Sequence, residues 1–239
     1  MKPSFSHRSG QKELLDNNDI PFVDIKRNMH ELNLVNKYLG GHNITLKGFK
    51  QLVNRKELSN PLNVVEIGCG GGDNLRVLKN WSDANGINAT FTGIDFNPEC
   101  INYANSLAGN KGITFSHSDY RDAHFQNKPD IIFSSLFTHH FTDNELVTQL
   151  HWMKDNTRLG FFINDLHRHP LAYYAIKLLT KLFSGSYLVK NDAPLSVMRA
   201  FKKKDWRKLM NEASINNFTI QWQWAFRWLI ISGNHATAP

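Results

Sequence analysis

Between residues 62 and 165 the chain repeats one unit, a short β-rich apolar run followed by a polar or capped helical stretch. The runs are LNVVEI (62–67), ATFTGI (89–94), ITFSH (113–117), DIIFSS (130–135) and LGFFIND (159–165). Apolar runs too short for helices, spaced by helical stretches, build a parallel sheet covered by helices. The helix starts have local causes. Asn97-Pro98-Glu99 reads as an N-cap with proline in the first turn, and Thr142 to Glu145 has the spacing of a capping box. After 165 the rhythm changes to an apolar helix over 171–183, a loop through Pro194 and a basic helix near 203–213. NFTIQWQW and FRWLIIS then supply strands six and seven, antiparallel to each other. The expected fold is α/β, a doubly wound, seven-stranded, mostly parallel sheet.

Ahead of the sheet, Ile25, Met29, Leu32, Val35 and Leu39 recur three or four apart and predict a helix over 24–39, stopped by Gly40 and Gly41. A second helix over 45–54 carries Leu46, Phe49, Leu52 and Val53 and leads to a turn at Asn60 and Pro61. A chain of 239 residues supports one sizeable core without disulfides. Cys69 and Cys100 are too few for a disulfide framework and lack zinc-ligand spacing, which favours a reducing cytoplasm. No apolar run approaches the ~18 residues of a membrane span, and the first 20 residues lack a signal peptide's apolar segment. The net charge of +7 mildly favours anionic partners.

VVEIGCGGGD places Gly68, Gly70, Gly71 and Gly72 at the carboxyl end of the first strand, where a doubly wound sheet opens its ligand crevice. A dinucleotide fingerprint wants Gly or Ala where Asp73 stands, and no Gly-Lys-Ser/Thr follows for a P-loop. Glu66, two residues before the first glycine, suits a cationic ligand better than a pyrophosphate. Asp95 ends the second strand, placed to accept from two ribose hydroxyls. Asp119 follows the third strand and can accept from an exocyclic amino group, with Tyr120 able to stack beside a purine. Together these residues describe an adenosine site.

In VVEIGCGGGD, FTGIDFNPECINYA, SDYRD and PDIIFSSLFTHHF, the chain resembles the class I S-adenosylmethionine (SAM)-dependent methyltransferases, in particular their small-molecule, quinone-biosynthesis-type branch. The likeness spans roughly residues 62–165. It implies that the loop from Glu66 to Gly72, with Gly68, Cys69 and Gly70, runs under the methionine half of SAM. It also implies that Asp95 holds the ribose, Asp119 the adenine, and that Phe96 packs on the adenine ring. The expected division is a flexible arm (1–20) and one domain (21–239), made of a helical lid (21–60), a cofactor-binding core (61–165) and substrate-side helices with the last two strands (166–239).

Methyl transfer from a sulfonium is an in-line displacement, so the protein supplies alignment and, for a weak nucleophile, a base. The loop opened by Ser135 emerges beside the cofactor in this fold, and its His139 and His140 titrate in the right range. The resemblance includes a His-His pair here. His139 is the preferred base; the alternative is that a histidine caps the next helix or bonds a carbonyl. If the chain stays extended after strand five, Asp165, His167 and His169 point one way. With Arg168 in the same segment, a substrate-facing polar wall is the preferred reading over a metal site, and no metal is assigned. Arg199 suits an anionic substrate group or, alternatively, a core acid. The helix over 171–183 could roof an apolar pocket, and Asn33, Asn36 and Tyr38 could belong to a lid.

The cluster Lys202, Lys203, Lys204, Arg207 and Lys208 raises an RNA methyltransferase as the competing reading. Against it, Ser134-Ser135-Leu136-Phe137 stands where enzymes methylating base amino groups carry an Asn/Asp-Pro-Pro-aromatic clamp. A non-catalytic binding protein of the same fold is disfavoured by the intact Glu66, Gly68, Gly70 and Asp95. The expectation is SAM-dependent methylation of a small molecule, at the oxygen of a phenol, quinol or hydroxyl-bearing metabolite.

Overall fold

The computed structural model describes residues 3–17, 19–54 and 61–233. Seven strands lie in the order β3-β2-β1-β4-β5-β7-β6. They are β1 (Leu62–Ile67), β2 (Ala89–Asp95), β3 (Ile113–His117), β4 (Ile131–Ser135), β5 (Gly160–Leu166), β6 (Phe218–Gln223) and β7 (Arg227–Gly233). β1 to β5 pair in parallel, while β7 runs antiparallel between β5 and β6. The strand order reverses between β1 and β4, which opens a crevice above their carboxyl ends.

Alternation along β1 feeds two cores: Leu62 and Val64 face one side of the sheet, Val65 and Ile67 the other. On the first side α2 (Gly41–Val53) and α3 (Asp73–Ala84) pack over the sheet, where the Phe133 and Phe162 rings stack 4.8 Å apart. On the second lie α5 (Asp143–Asp155) and α8 (Lys203–Glu212), with Trp206 fully buried. α4 (Pro98–Ser106) begins as expected, Asn97 Oδ1 accepting from Glu99 N at 2.9 Å, and the Thr142–Glu145 capping box is present.

Three sequence expectations need correction. α1 (Phe22–Tyr38) ends as expected, but Gly41 already belongs to α2, which begins four residues before the expected start at 45; Gly40, at φ 78°, makes the turn between the helices. A Cβ on Gly41 would lie 2.5 Å from Asn36 Oδ1 and 3.2 Å from Arg227 Cζ. The segment through Pro194 is not a loop but α7 (Tyr187–Arg199), packed on α6 (Pro170–Phe183) and α1. Ser186 caps α7, and its buried Leu188, Val189 and Val197 outweigh the proline's missing hydrogen bond. The N-terminal arm, expected to be mobile, is packed. Arg8 donates to Asp143 Oδ1, Phe141 O and Arg199 O, each at 2.8 Å, and lies 4.3 Å over the Phe201 ring. The turn expected at Asn60 lies outside the described residues; Pro61 is a bend leading into β1.

Candidate functional site

A cavity of about 620 Å³ lies above the carboxyl ends of β1 to β4, and all the expected cofactor residues border it: Glu66, Gly68, Cys69, Gly70, Asp95, Phe96, Asp119, Tyr120 and Ser135. The loop after β1 is held by backbone bonds. Gly68 N and Cys69 N donate to Ile94 O, and Gly70 N donates to Asp95 Oδ2 at 2.8 Å. Asp95 Oδ1 accepts from Asn97 N at 2.9 Å, so this one carboxylate fixes both the glycine loop and the start of α4. At Gly70, φ 50°, an added Cβ would meet nothing within 4 Å: the loop presents bare backbone there. Gly68 differs, since a Cβ there would lie 2.3 Å from the Phe137 ring.

Glu66 is buried, with Oε1 accepting from Asn74 Nδ2 at 3.1 Å and Oε2 without a partner among the described residues. Burial pushes its carboxyl well above the usual range, further than the Asn74 bond pulls it back. Asn74 in turn meets His42 at 3.0 Å, and His42 meets Asn33 at 2.9 Å, tying α1 and α2 to the acid at the end of β1. A buried carboxylate with a free oxygen beside an open backbone loop fits the ammonium end of a methionine moiety. The ring of Phe96 is exposed at the rim, consistent with a surface another ring could cover.

Three of these residues have side chains already engaged by the protein. The Cys69 thiol turns into the core, 2.7 Å from where a Gly93 Cβ would stand, and leaves only its backbone to the loop. Tyr120 is no free stacking platform: its ring is buried against Phe137, Phe141 and Trp152. Asp119 is paired with the Arg121 guanidinium and accepts from Arg121 N at 2.9 Å; the Arg121 bonds hold it below the usual carboxylate range.

The loop after β4 carries the histidines. Its 3-10 turn, Thr138–His140, is pinned by Asp165 at the end of β5. Asp165 Oδ1 meets His139 Nδ1 at 2.8 Å, and Oδ2 accepts from Thr138 Oγ1 at 2.5 Å and His139 N at 3.2 Å. Burial would raise this carboxyl, but attraction to His139 and these hydrogen bonds hold it below the usual range. His139 Nε2 then faces Glu13 Oε1 at 3.5 Å. His140 Nδ1 meets Asp16 Oδ1 at 2.8 Å, and its Nε2 lies 3.8 Å from Glu13 Oε2. Burial pushes the Glu13 carboxyl up to about 7, against the pull of His140, a 2.8 Å bond from Ser196 Oγ and Arg199. Glu13, His139 and His140 bring ligand atoms within 4.8 Å of one another and could hold a metal ion. Arg199 Nε, 3.8 Å from Glu13 Oε1, already supplies a positive charge there.

A second cavity, about 290 Å³, shares Leu15, Asn28, Leu32, Leu136 and His140 with the first. Glu13, His139 and Arg227 also border it, and the rest of its wall is mostly apolar, from α1, α6 and α7, including Val35, Ile176, Leu179 and Val197. The helix over 171–183 thus does wall an apolar pocket. Of the expected lid residues, Asn33 and Asn36 border the first cavity, whereas Tyr38 is exposed.

The residues expected to touch substrate are corrected. Arg199 is buried, its donors taken by His139 O, His140 O, Gln11 O and Asp16 Oδ2. Arg168 is buried and donates to the carbonyls of Phe5, Ser6 and Ala200 and to Asp205 Oδ2. His167 borders neither cavity; it packs on Trp228, and burial lowers it to about 4. Asp165 has gone to His139, so Asp165, His167 and His169 form no common wall. The basic helix is solvated, with Lys203, Lys204, Arg207 and Lys208 exposed and Lys208 paired with Asp143 at 3.0 Å. Reading the sequence missed Glu13, Asp16 and Arg227. Nothing local marks them, because their partners lie far away along the chain.

The doubly wound sheet with its antiparallel β7 and the glycine loop under an open crevice define the class I, Rossmann-like methyltransferase fold. Residues 64–160 match the family described as a methyltransferase domain. The matched stretch carries the glycine loop, Asp95, Asp119 and the loop after β4. No curated protein matches it in sequence. Among solved structures, human N-acetylserotonin methyltransferase in complex with SAM aligns with TM-score 0.65 and 16% identity, over 95% of this chain and 64% of that one. The plantazolicin methyltransferase BpumL, with a monoazolic desmethylplantazolicin analogue and S-adenosylhomocysteine (SAH), aligns with TM-score 0.62 and 17% identity, over 90% and 92%. Magnesium protoporphyrin IX methyltransferase from Synechocystis, with SAH, aligns with TM-score 0.54 and 18% identity, over 92% and 90%. At these identities the likeness is one of fold. Among the described residues no helix is long and apolar enough to cross a membrane.

Proposed function

We propose that the chain methylates a small, largely apolar acceptor at a phenol, quinol or other hydroxyl oxygen. The cofactor lies in the larger cavity and the acceptor in the smaller one. The observation that carries this reading is the wall the two cavities share at Leu136 and His140, with His139 and Glu13 beside it. In this reading Glu66 and the Gly68–Gly70 backbone hold the methionine end, Asp95 the ribose and Asp119 the adenine side, with Phe96 over the ring. When bound, the cofactor supplies an electrophilic methyl group. Asp165 engages His139 Nδ1, which orients the ring so that Nε2 is the nitrogen left to accept the hydroxyl proton. Glu13, titrating at about 7, shares that proton at neutral pH. His140, held by Asp16, shapes the passage between donor and acceptor.

A quinol or phenol fits the apolar wall, in line with the resemblance to the quinone-biosynthesis-type branch. Human N-acetylserotonin methyltransferase, named for a small-molecule acceptor, supports the same class. The two cysteines are free and buried, which suits a reducing cytoplasm. Within the expected lid, α1 borders the larger cavity, with Asn33 joined through His42 of α2 and Asn74 to Glu66. The test is a panel of phenols, quinols and hydroxylated carboxylic acids, scored for SAH release with SAM. Turnover confined to oxygen nucleophiles supports the reading. Turnover only of amines, or of structured RNA, overturns it.

A further inference from the structure

Arg227 is the first residue of β7, opposite Leu166 of β5, and it borders the smaller cavity. Its side chain is buried, yet its hydrogen-bond partner among the described residues is neutral: Nη2 donates to Asn36 Oδ1 at 2.8 Å. Nη1 has no hydrogen-bond partner among the described residues. Gly41 and Asn36 crowd the guanidinium, a Gly41 Cβ falling 3.2 Å from Cζ, so it is held in place rather than swept through the space. Asp165 attracts it from a distance, but both Asp165 oxygens are taken by His139, Thr138 and the Leu166 N–H. A guanidinium stays charged at neutral pH, and an unpaired charge in an apolar surrounding is strongly unfavourable. Asn28, whose buried Nδ2 also lacks a partner among the described residues, borders both cavities. The carboxylates at this cavity cannot serve Arg227. Asp192 accepts from Leu14 N, Leu15 N and Asn191 Nδ2, and Glu13 faces the histidines and Ser196.

We infer that Arg227 anchors the acceptor through a carboxylate: the substrate is a hydroxylated carboxylic acid with a compact apolar body, its acid group on Arg227 and its hydroxyl toward His139 and His140. The role expected of Arg199 from sequence thus passes to Arg227, the arginine at this cavity whose hydrogen-bonding capacity is not filled. The inference rests on reading the smaller cavity as the acceptor site. At about 290 Å³ the cavity is at the small end for ligand sites, which limits the body to about one ring with a short chain.

The test measures binding, so that it does not depend on turnover. Calorimetric titration of the SAH-saturated protein compares 3-(4-hydroxyphenyl)propionate with its primary amide and with 4-propylphenol, which share one apolar body. The acid is expected to bind at least tenfold more tightly than either neutral probe. Arg227→Met is expected to abolish that preference, while Arg227→Lys retains part of it. Equal affinity for acid and amide in the unmodified protein overturns the inference without reference to any variant. So does a preference that survives intact in a folded Arg227→Met, or no binding of the acid at millimolar concentration. If the acid binds through Arg227 but no hydroxylated acid is methylated at oxygen, the anchor stands and the reading of the reaction fails.

Discussion

Gly68 and Gly70 stand two residues apart in one loop, and the structure gives them opposite consequences on substitution. At Gly70 a Cβ meets nothing within 4 Å and points into free space. Gly70→Ala therefore disturbs the fold only through its backbone, since φ 50° is the left-handed region, costing about 1–2 kcal/mol for an L-residue. For a domain of this size that corresponds to a fall in Tm of about 2–8 °C. The new methyl group would stand where the methionine half of the cofactor crosses the loop, and SAH affinity should fall at least tenfold, or about 1.4 kcal/mol. Gly68→Ala puts its Cβ 2.3 Å from the Phe137 ring, so its main effect should be a larger loss of stability. Calorimetric unfolding and SAH titration of both variants separate the two effects. A Gly70→Ala protein that loses a few degrees of Tm yet binds SAH as tightly as the parent would refute the assignment of this loop to the cofactor.

Other expectations concern the acids and the base. Asp95→Ala removes the acceptor of two backbone N–H groups, each worth about 1.5–3 kcal/mol, and should lower both stability and SAH affinity in parallel titrations. His139→Ala should cut kcat by about 10²–10⁴-fold while SAH affinity stays within twofold; unchanged turnover would remove His139 from the reaction. Glu13 is raised from 4.5 to about 7 in the fold, so the folded state binds the extra proton between those values, and its contribution to stability declines as pH rises through that window. Urea unfolding of Glu13→Gln should lack this decline. The kcat/KM profile of the parent should show an acid limb near pH 7 that moves in Glu13→Gln, and an unmoved limb would assign it to another group.

How far such a chain can be read without coordinates depends on the range of the forces at each residue. The five parallel strands and the caps at Asn97 and Thr142 were legible because period, N-cap and first-turn proline act within a few residues. The meeting of Glu66, Asp95 and Asp119 at one crevice was legible because a doubly wound sheet puts the ends of β1, β2 and β3 there. Helix α7 was hidden because Pro194 carries a strong local signal, overridden by packing on α6 and α1. The arginines misled for a related reason. Arg168 and Arg199 look like surface or substrate charges, yet both are filled by carbonyls from the N-terminal segment and the β4 loop. Glu13 meets His139 across more than a hundred residues, and no local pattern marks such a partner.

The most direct test of the site is a crystal structure of the protein with SAH. The expected result has the ribose hydroxyls on Asp95, the adenine beside Phe96 and Asp119, the amino group at Glu66, and the sulfur turned toward Leu136 and His140. A nucleoside bound away from Asp95, or a sulfur with no path to the smaller cavity, would contradict the account.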